Sequence, residues 1–209
     1  MRFRVLESNI EYDTFFRRIG EVVDCDPVTE IDDYDVLVLT GGSDVNPHIY
    51  GDVPIPQTSP PNENRDRREW IATEMAFDTN KPVIGICRGS QFLNVINGGQ
   101  LIQHVTGHTQ NHPIFLKGGG ICWATSTHHQ MMVPTQHAEL LAYAYGRSSA
   151  YMTGGNVEVN EEEISRQEPE IVYYPHTRSL CIQPHPEYMQ SKDMLVGYVY
   201  SLINERFST

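Results

Sequence analysis

The sequence is poor in cysteine, in positive charge and in long apolar runs, and each shortage removes a class of protein. Its four cysteines, Cys25, Cys87, Cys122 and Cys181, stand far apart with no CxxC pair, which argues against a thiolate zinc knuckle and against a disulfide framework. A reducing compartment is expected. Fifteen Lys and Arg face 27 Asp and Glu, a formal charge of -12, so a surface that grips the phosphate backbone of a nucleic acid is not expected. Arg65, Arg67 and Arg68 form the one dense basic cluster, and it is too small for that task. No apolar run approaches the roughly 20 residues that cross a bilayer, and Met1 to Arg4 leads into no signal-peptide core. The expectation is a cytoplasmic chain. Internal repeats, low-complexity segments, a P-loop and a GxGxxG after a strand are also missing, which leaves no nucleotide-binding segment.

What is present is ordinary globular composition: 39% hydrophobic, 20% charged and 10% aromatic over 209 residues. That is enough for one core, and residues 1–209 are read as a single domain. Arg4 to Glu7 predicts a strand, and Tyr12 to Val23 a helix with Phe15, Phe16, Ile19 and Val22 at helical spacing. Asp35 to Leu39 is a short continuous apolar run ending in Thr40-Gly41-Gly42, the pattern of a strand buried on both faces in a parallel sheet. Residues 45–64 predict a loop, Glu69 to Asp78 a helix, Val83 to Ile86 a strand, and Gln91 to Ile96 a helix closed by Gly98-Gly99.

Beyond Leu101 shorter strands are predicted at Ile114 to Leu116, Cys122 to Thr125, Leu140 to Tyr145 and Ile171 to Tyr174, a more antiparallel half. Glu158, Glu161, Glu162, Glu163, Glu168 and Glu170 read as a solvated loop or exposed helix without a functional role. Ser179 to Gln183 predicts the last strand. Met194 to Phe207 predicts a terminal helix with Leu195, Tyr198, Val199, Leu202 and Ile203 inward. The whole is an α/β fold with a mainly parallel central sheet and an antiparallel extension.

Chemistry concentrates at two places. Gly85-Ile86-Cys87-Arg88-Gly89 sets a cysteine between strand and helix with glycines two residues to either side, the spacing of a nucleophile elbow. The helix N-terminus that follows favours a thiolate. Read alone, Cys87 is equally a small buried apolar side chain. His185-Pro186-Glu187 follows the last strand, and alternate residues of extended chain share a side, so imidazole and carboxylate can meet. Taken alone, His185 would be a surface histidine in a Pro-rich turn. Jointly, Cys87, His185 and Glu187 supply nucleophile, base and orienting carboxylate.

These motifs resemble the class I glutamine amidotransferases, and within them the γ-glutamyl hydrolase and γ-glutamyl-γ-aminobutyrate hydrolase branch, peptidase family C26. The resemblance runs from about Val36 to Tyr188. It rests on Thr40-Gly41-Gly42-Ser43-Asp44-Val45-Asn46-Pro47 with Tyr50-Gly51, on Arg65-Asp66, and on the run from Lys81 to Gln91. It rests also on Asn97-Gly98-Gly99, His128-His129-Gln130 and His185-Pro186-Glu187. The resemblance implies a flavodoxin-like three-layer fold with Cys87 as nucleophile, His185 as acid and base, and Glu187 as its partner. It further implies that the Gly42 and Arg88 amides form the oxyanion hole, that Gln91 contacts a bound γ-glutamyl group, and that His129 and Gln130 line the site. Pro184 stands where the family usually carries an aromatic residue.

The implied reaction is hydrolysis of a γ-glutamyl amide, either glutamine or a γ-glutamyl amine, through a thioester. The alternatives are a glutaminase that feeds ammonia to a synthetase on another chain, and a catalytically idle binding domain. A synthetase partner chain and a homodimer are both left open; neither nucleic acid nor membrane is expected as partner. His104, His108 and His112 recur every four residues, as metal ligands on one helical face would. Gly107 and Pro113 break such a helix and no carboxylate or cysteine completes the set, so a polar loop at the site's rim is expected, with no metal and no cofactor.

Overall fold

The computed structural model describes residues 1–208. In chain order the elements are β1 (Arg2–Leu6), α1 (Ile10–Phe16), β2 (Glu21–Val23), β3 (Val36–Leu39), α2 (Glu63–Asp78), β4 (Val83–Ile86) and α3 (Arg88–Ile96). Then come β5 (Gln100–Ile102), β6 (His104–Val105), β7 (His112–Leu116), β8 (Ile121–Ala124), β9 (Met131–Val133) and β10 (Glu139–Ala144). The chain closes with β11 (Tyr151–Met152), α4 (Glu161–Ile164), β12 (Glu168–Tyr174), β13 (Ser179–Ile182) and α5 (Met194–Phe207).

One nine-stranded sheet runs in the order β2-β1-β3-β4-β13-β12-β10-β7-β8. The five strands from β2 to β13 pair in parallel, and the pairs from β13 to β8 are antiparallel. This is the parallel core with antiparallel extension that the sequence predicts. Alternation fixes the layers: Val36 and Val38 pack with Phe15, Phe16, Leu195 and Val199 on one face, whereas Leu37 and Leu39 pack with Ala72, Ala76, Phe92 and Leu93 on the other. Helices α1 and α5 therefore cover one side, and α2 and α3 the opposite one, each by hydrophobic burial. The ends of β3, β4 and β13 lie side by side in register, which brings three successive loops to one place, as open α/β sheets do.

Three expectations need correction. Helix α1 stops at Phe16, where the Arg17 N–H bonds back to Asp13 O, and Glu21 to Val23 instead pair with the β1 edge; β-branched Val22 and Val23 suit a strand better than a helix. Helix α2 begins at Glu63, capped by Asn62, six residues before the predicted start. Its first turns hide no apolar stripe because Arg65, Asp66 and Glu69 are the buried residues there. Glu168 and Glu170 are not solvated. They lie fully buried on β12, Glu168 accepting from the Arg147 and Ser148 N–H groups and from Tyr151 Oη and Glu170 facing His108, His112 and His128, while Glu158, Glu161, Glu162 and Glu163 are exposed as predicted.

Candidate active site

Cys87 takes φ 52° and ψ -110° between β4 and α3, a region that side-chain-bearing residues rarely occupy and that stores strain at functional turns. Its N–H donates to Ile182 O at 2.8 Å, and its carbonyl accepts from Ser90 Oγ at 2.6 Å. The flanking glycines are required by packing. A Cβ on Gly85 would lie 2.3 Å from Gly89 O, and one on Gly89 would lie 2.2 Å from Leu39 O. The turn is thus pressed directly onto β3 with no side chain between them.

The loop after β3 is held from α2. Arg65 donates through Nη2 to Thr40 O and through Nη1 to Gly41 O, both at 2.9 Å, while its Nε donates to Glu69 Oε1 at 2.6 Å. Glu69 in turn accepts from Arg88 Nη1, and Asp66 from Arg88 Nη2. All four side chains are buried, so this chain of charge-assisted bonds joins the loop to the first helical residue after Cys87. The Gly41 N–H is spent on Tyr12 Oη at 2.9 Å. The N–H groups of Gly42 and Arg88 meet no acceptor among the described residues.

His185 is placed by its own N–H, which donates to Thr125 O at 3.0 Å, and its Nδ1 meets Glu187 Oε1 at 2.6 Å. Burial opposes charge on the imidazole, but hydrogen bonding to Cys87 and to Glu187 overcomes it, and the pKa is pushed up to about 10 from 6.5. A Cβ at Gly41 would come within 3.1 Å of His185 Cε1 and 3.7 Å of Cys87 Cβ. Cysteine and histidine therefore flank the same point.

Both open onto a cavity of about 450 Å³ lined also by Gly42, Asp44, Gln91, His129, Gln130 and Tyr188. Gln91 is buried, its Nε2 donating to Gln130 O and Gln183 Oε1, each at 3.2 Å. The Gln130 carboxamide is buried with neither its oxygen nor its nitrogen paired. His129 Nε2 meets Asp44 Oδ1 at 3.0 Å, and the hydrogen bond to that carboxylate raises its pKa. Pro184 is buried, and the aromatic wall comes from Tyr188, whose ring centre lies 5.3 Å from that of His185. Arg88 does not line the cavity; its side chain turns back toward α2. Sequence reasoning missed Tyr12 and Glu69. The i, i+4 spacing of Arg65 and Glu69 was the signal for the second; nothing local marks the first.

The histidine series behaves otherwise than predicted. His104 does sit at the rim, 3.3 Å from His129 between Nδ1 atoms. His108 and His112 are fully buried, and they belong to no helix. They face Glu168 and Glu170, the carboxylates that the linear sequence keeps some sixty residues away.

The fold is shared with solved glutamine amidotransferases: the chain superposes on one from Thermotoga maritima with a TM-score of 0.66 at 13% identity, over 100% of this chain and 98% of that one. PurLQS from the same organism gives 0.60 at 17% identity, over 99% and 96% of the two chains. The Peptidase C26 family model matches residues 24–159, and the chain belongs to that family. Among curated relatives, the "Putative glutamine amidotransferase-like protein YvdE homolog" of Lactococcus lactis subsp. cremoris is 40% identical over 98 residues, 44% of this chain and 52% of that protein. Protein NtpR of Enterococcus hirae is 42% identical over 76 residues, 36% of this chain and 32% of that one. The matched stretch spans about half of the first relative and a third of the second.

Proposed function

We propose that the protein hydrolyses a γ-glutamyl amide, glutamine or a γ-glutamyl amine, through a thioester on Cys87. The observation that carries this reading is a cysteine at positive φ opening onto the same cavity as a histidine bonded to Glu187. The Cys87 thiolate attacks the side-chain carbonyl carbon, and the negative oxygen is received by the Gly42 and Arg88 N–H groups. Collapse breaks the C–N bond as the His185 imidazolium gives its proton to the leaving amine. Water then loses a proton to His185 and adds to the thioester, and glutamate departs as the C–S bond breaks. Glu187 fixes the imidazole's orientation and stabilises its charge.

The γ-glutamyl head carries an ammonium and a carboxylate, and both need partners. The Gln130 carboxamide is buried beside the cavity with no partner of its own, and rotation of its side chain would present an acceptor and two donors. Gln91 and His129 are assigned to the same wall. The formal charge of -12 favours a small-molecule substrate over nucleic acid.

Glutamate release is measured with glutamine and with a γ-glutamyl amine side by side. Rapid cleavage of the amine supports the free-standing hydrolase. Turnover near the wild-type rate in Cys87→Ala would overturn the mechanism. Slow turnover of both substrates, with Cys87 still alkylated by a glutamine-like electrophile, would instead identify a glutaminase that supplies ammonia to a synthetase chain.

A further inference from the structure

Behind the cavity wall lie three imidazoles and two carboxylates that the reaction does not use. His108 and His112 bracket the turn into β7, His128 follows β8, and Glu168 and Glu170 stand on β12. His128 is 3% exposed and the other four 0%. His112 and His128 each turn one nitrogen outward to a carbonyl, and His108 turns one toward the Glu168 carboxylate without completing a hydrogen bond. His112 Nδ1 lies 2.9 Å from Gln110 O, His128 Nδ1 lies 2.8 Å from Gln130 O, and His108 Nε2 lies 3.3 Å from Glu168 Oε2.

The other nitrogens converge on one oxygen. His112 Nε2, His108 Nδ1 and His128 Nε2 lie 2.8, 3.1 and 3.8 Å from Glu170 Oε1. A carbonyl only accepts, so His112 and His128 carry their proton on Nδ1 when neutral and aim the Nε2 lone pair at a carboxylate. Two lone pairs facing a buried anion repel unless a positive centre stands between them. The hydrogen bonding is correspondingly unfinished: both nitrogens of His108, Nε2 of His128 and Oε2 of Glu170 have no partner.

We propose that His108, His112, His128 and Glu170 bind a single divalent cation of the zinc class. Three imidazole nitrogens and one carboxylate oxygen are a donor set that such ions prefer. Tetrahedral bonds of about 2.0–2.1 Å put ligand atoms about 3.3 Å apart, which the three distances to Glu170 Oε1 bracket. The donor atoms of His108, His128 and Glu170 all lie within 4.8 Å of one another; His112 stands outside that set and joins it through Glu170 Oε1, 2.8 Å from its Nε2, so it must draw in to complete the tetrahedron. Glu168 and the carbonyls of Gln110 and Gln130 then serve as the outer acceptors that fix each ring's tautomer. Two carboxylates and one divalent ion also sum to zero charge, which a dry interior requires. The ion is structural. It fastens β12 to the 127–130 wall, whose Gln130 carbonyl accepts from both His128 and Gln91.

The test uses the full chain without a histidine tag, as wild type and as Cys87→Ala, so that the active-site thiol is not a ligand. After dialysis against a chelator, one equivalent of zinc is returned and metal content, affinity and Tm are measured. One zinc retained per chain in both proteins, with a raised Tm, is expected. Cobalt should give tetrahedral ligand-field bands without thiolate charge transfer. His128→Gln should weaken zinc binding by at least ~10-fold, and Glu168→Gln, which removes only an outer acceptor, by about 10- to 100-fold. Should His128→Gln fail to fold, Glu168→Gln decides alone. Substoichiometric zinc without cobalt bands, or wild-type affinity in the variants that fold, would overturn the site and leave a cluster bridged by protons.

Discussion

Arg65 and Gly42 share one space: a Cβ on Gly42 would lie 2.3 Å from the Arg65 Nη1 atom that holds the Gly41 carbonyl. The guanidinium can grip the loop only because glycine leaves it room. The loop's shape is therefore set from α2, a helix that contributes nothing to the cavity itself.

Arg65→Met should damage both stability and rate. It strips the loop of its donors and leaves Glu69 with one partner fewer in a buried place, a loss of about 3–5 kcal/mol for a broken buried ion pair. If the Gly42 N–H serves the oxyanion, kcat should fall about 10²- to 10³-fold with little change in KM. Urea unfolding and steady-state kinetics separate the two effects. A stable variant with unchanged kcat would detach Arg65 from the loop's function.

Gly89→Ala should be among the most damaging single-atom additions available. The new methyl meets backbone, Leu39 O at 2.2 Å, and no rotamer relieves it. Overpacking of this kind costs about 1–3 kcal/mol or more, read as a lowered Tm together with loss of turnover. Gly197→Ala on α5, where nothing lies within 4 Å, is the control and should be neutral or slightly stabilising.

The charge on His185 gives stability a definite pH dependence. Its folded pKa, about 10, stands above its ordinary 6.5. The contribution is therefore fully present below about 6.5 and is lost as pH rises through about 10. The stability difference between wild type and His185→Ala should shrink over that window in denaturant titrations. A difference that grew with pH would reverse the assignment. In the proposed reaction the alkaline limb of kcat/KM should fall in the same region, and Glu187→Gln, by removing a supporting carboxylate, should move it toward neutrality while lowering the rate.

Asp52 gives the opposite sign. The carboxylate is 1% exposed and accepts from Gln103 Nε2 and from the Gly154 and Asn156 N–H groups. Burial alone would raise its pKa, yet these donors outweigh it and the value is lowered. Its contribution is present above the ordinary 3.8 and lost as pH falls through the lower folded value. Asp52→Ala leaves three donors unpaired and should cost about 2–4 kcal/mol at neutral pH, with the difference from wild type narrowing in acid.

How far the sequence could be read depended on whether a signal was local. Residues 35–39 and 83–86 are continuous apolar runs because their strands are covered on both faces, and they announce a parallel sheet directly. Cys87 between two glycines and His185 two residues from Glu187 are equally local. What stayed hidden was polar burial at long range. Glu170 looks solvated in an acidic stretch until β12 pairs between β10 and β13, and only then do His108, His112 and His128 become its neighbours. Tyr12 reaches the site through the packing of α1 on the sheet, which no spacing in the chain encodes. Arg65, Asp66 and Glu69 weakened the helical pattern of α2 because they face inward, where an apolar stripe is ordinarily sought.

The contact of Gly89 with the backbone of β3 divides the cavity into unequal halves. Nucleophile turn and glycine loop meet main chain to main chain and can shift only as one piece, leaving no slack with which to fit a new ligand. The opposite side is lined by side chains, His129 and Tyr188 among them, which can change in size and polarity without a clash of main chain on main chain. Divergence in the substrate accepted by chains of this kind should accordingly concentrate on that side, the half free to vary.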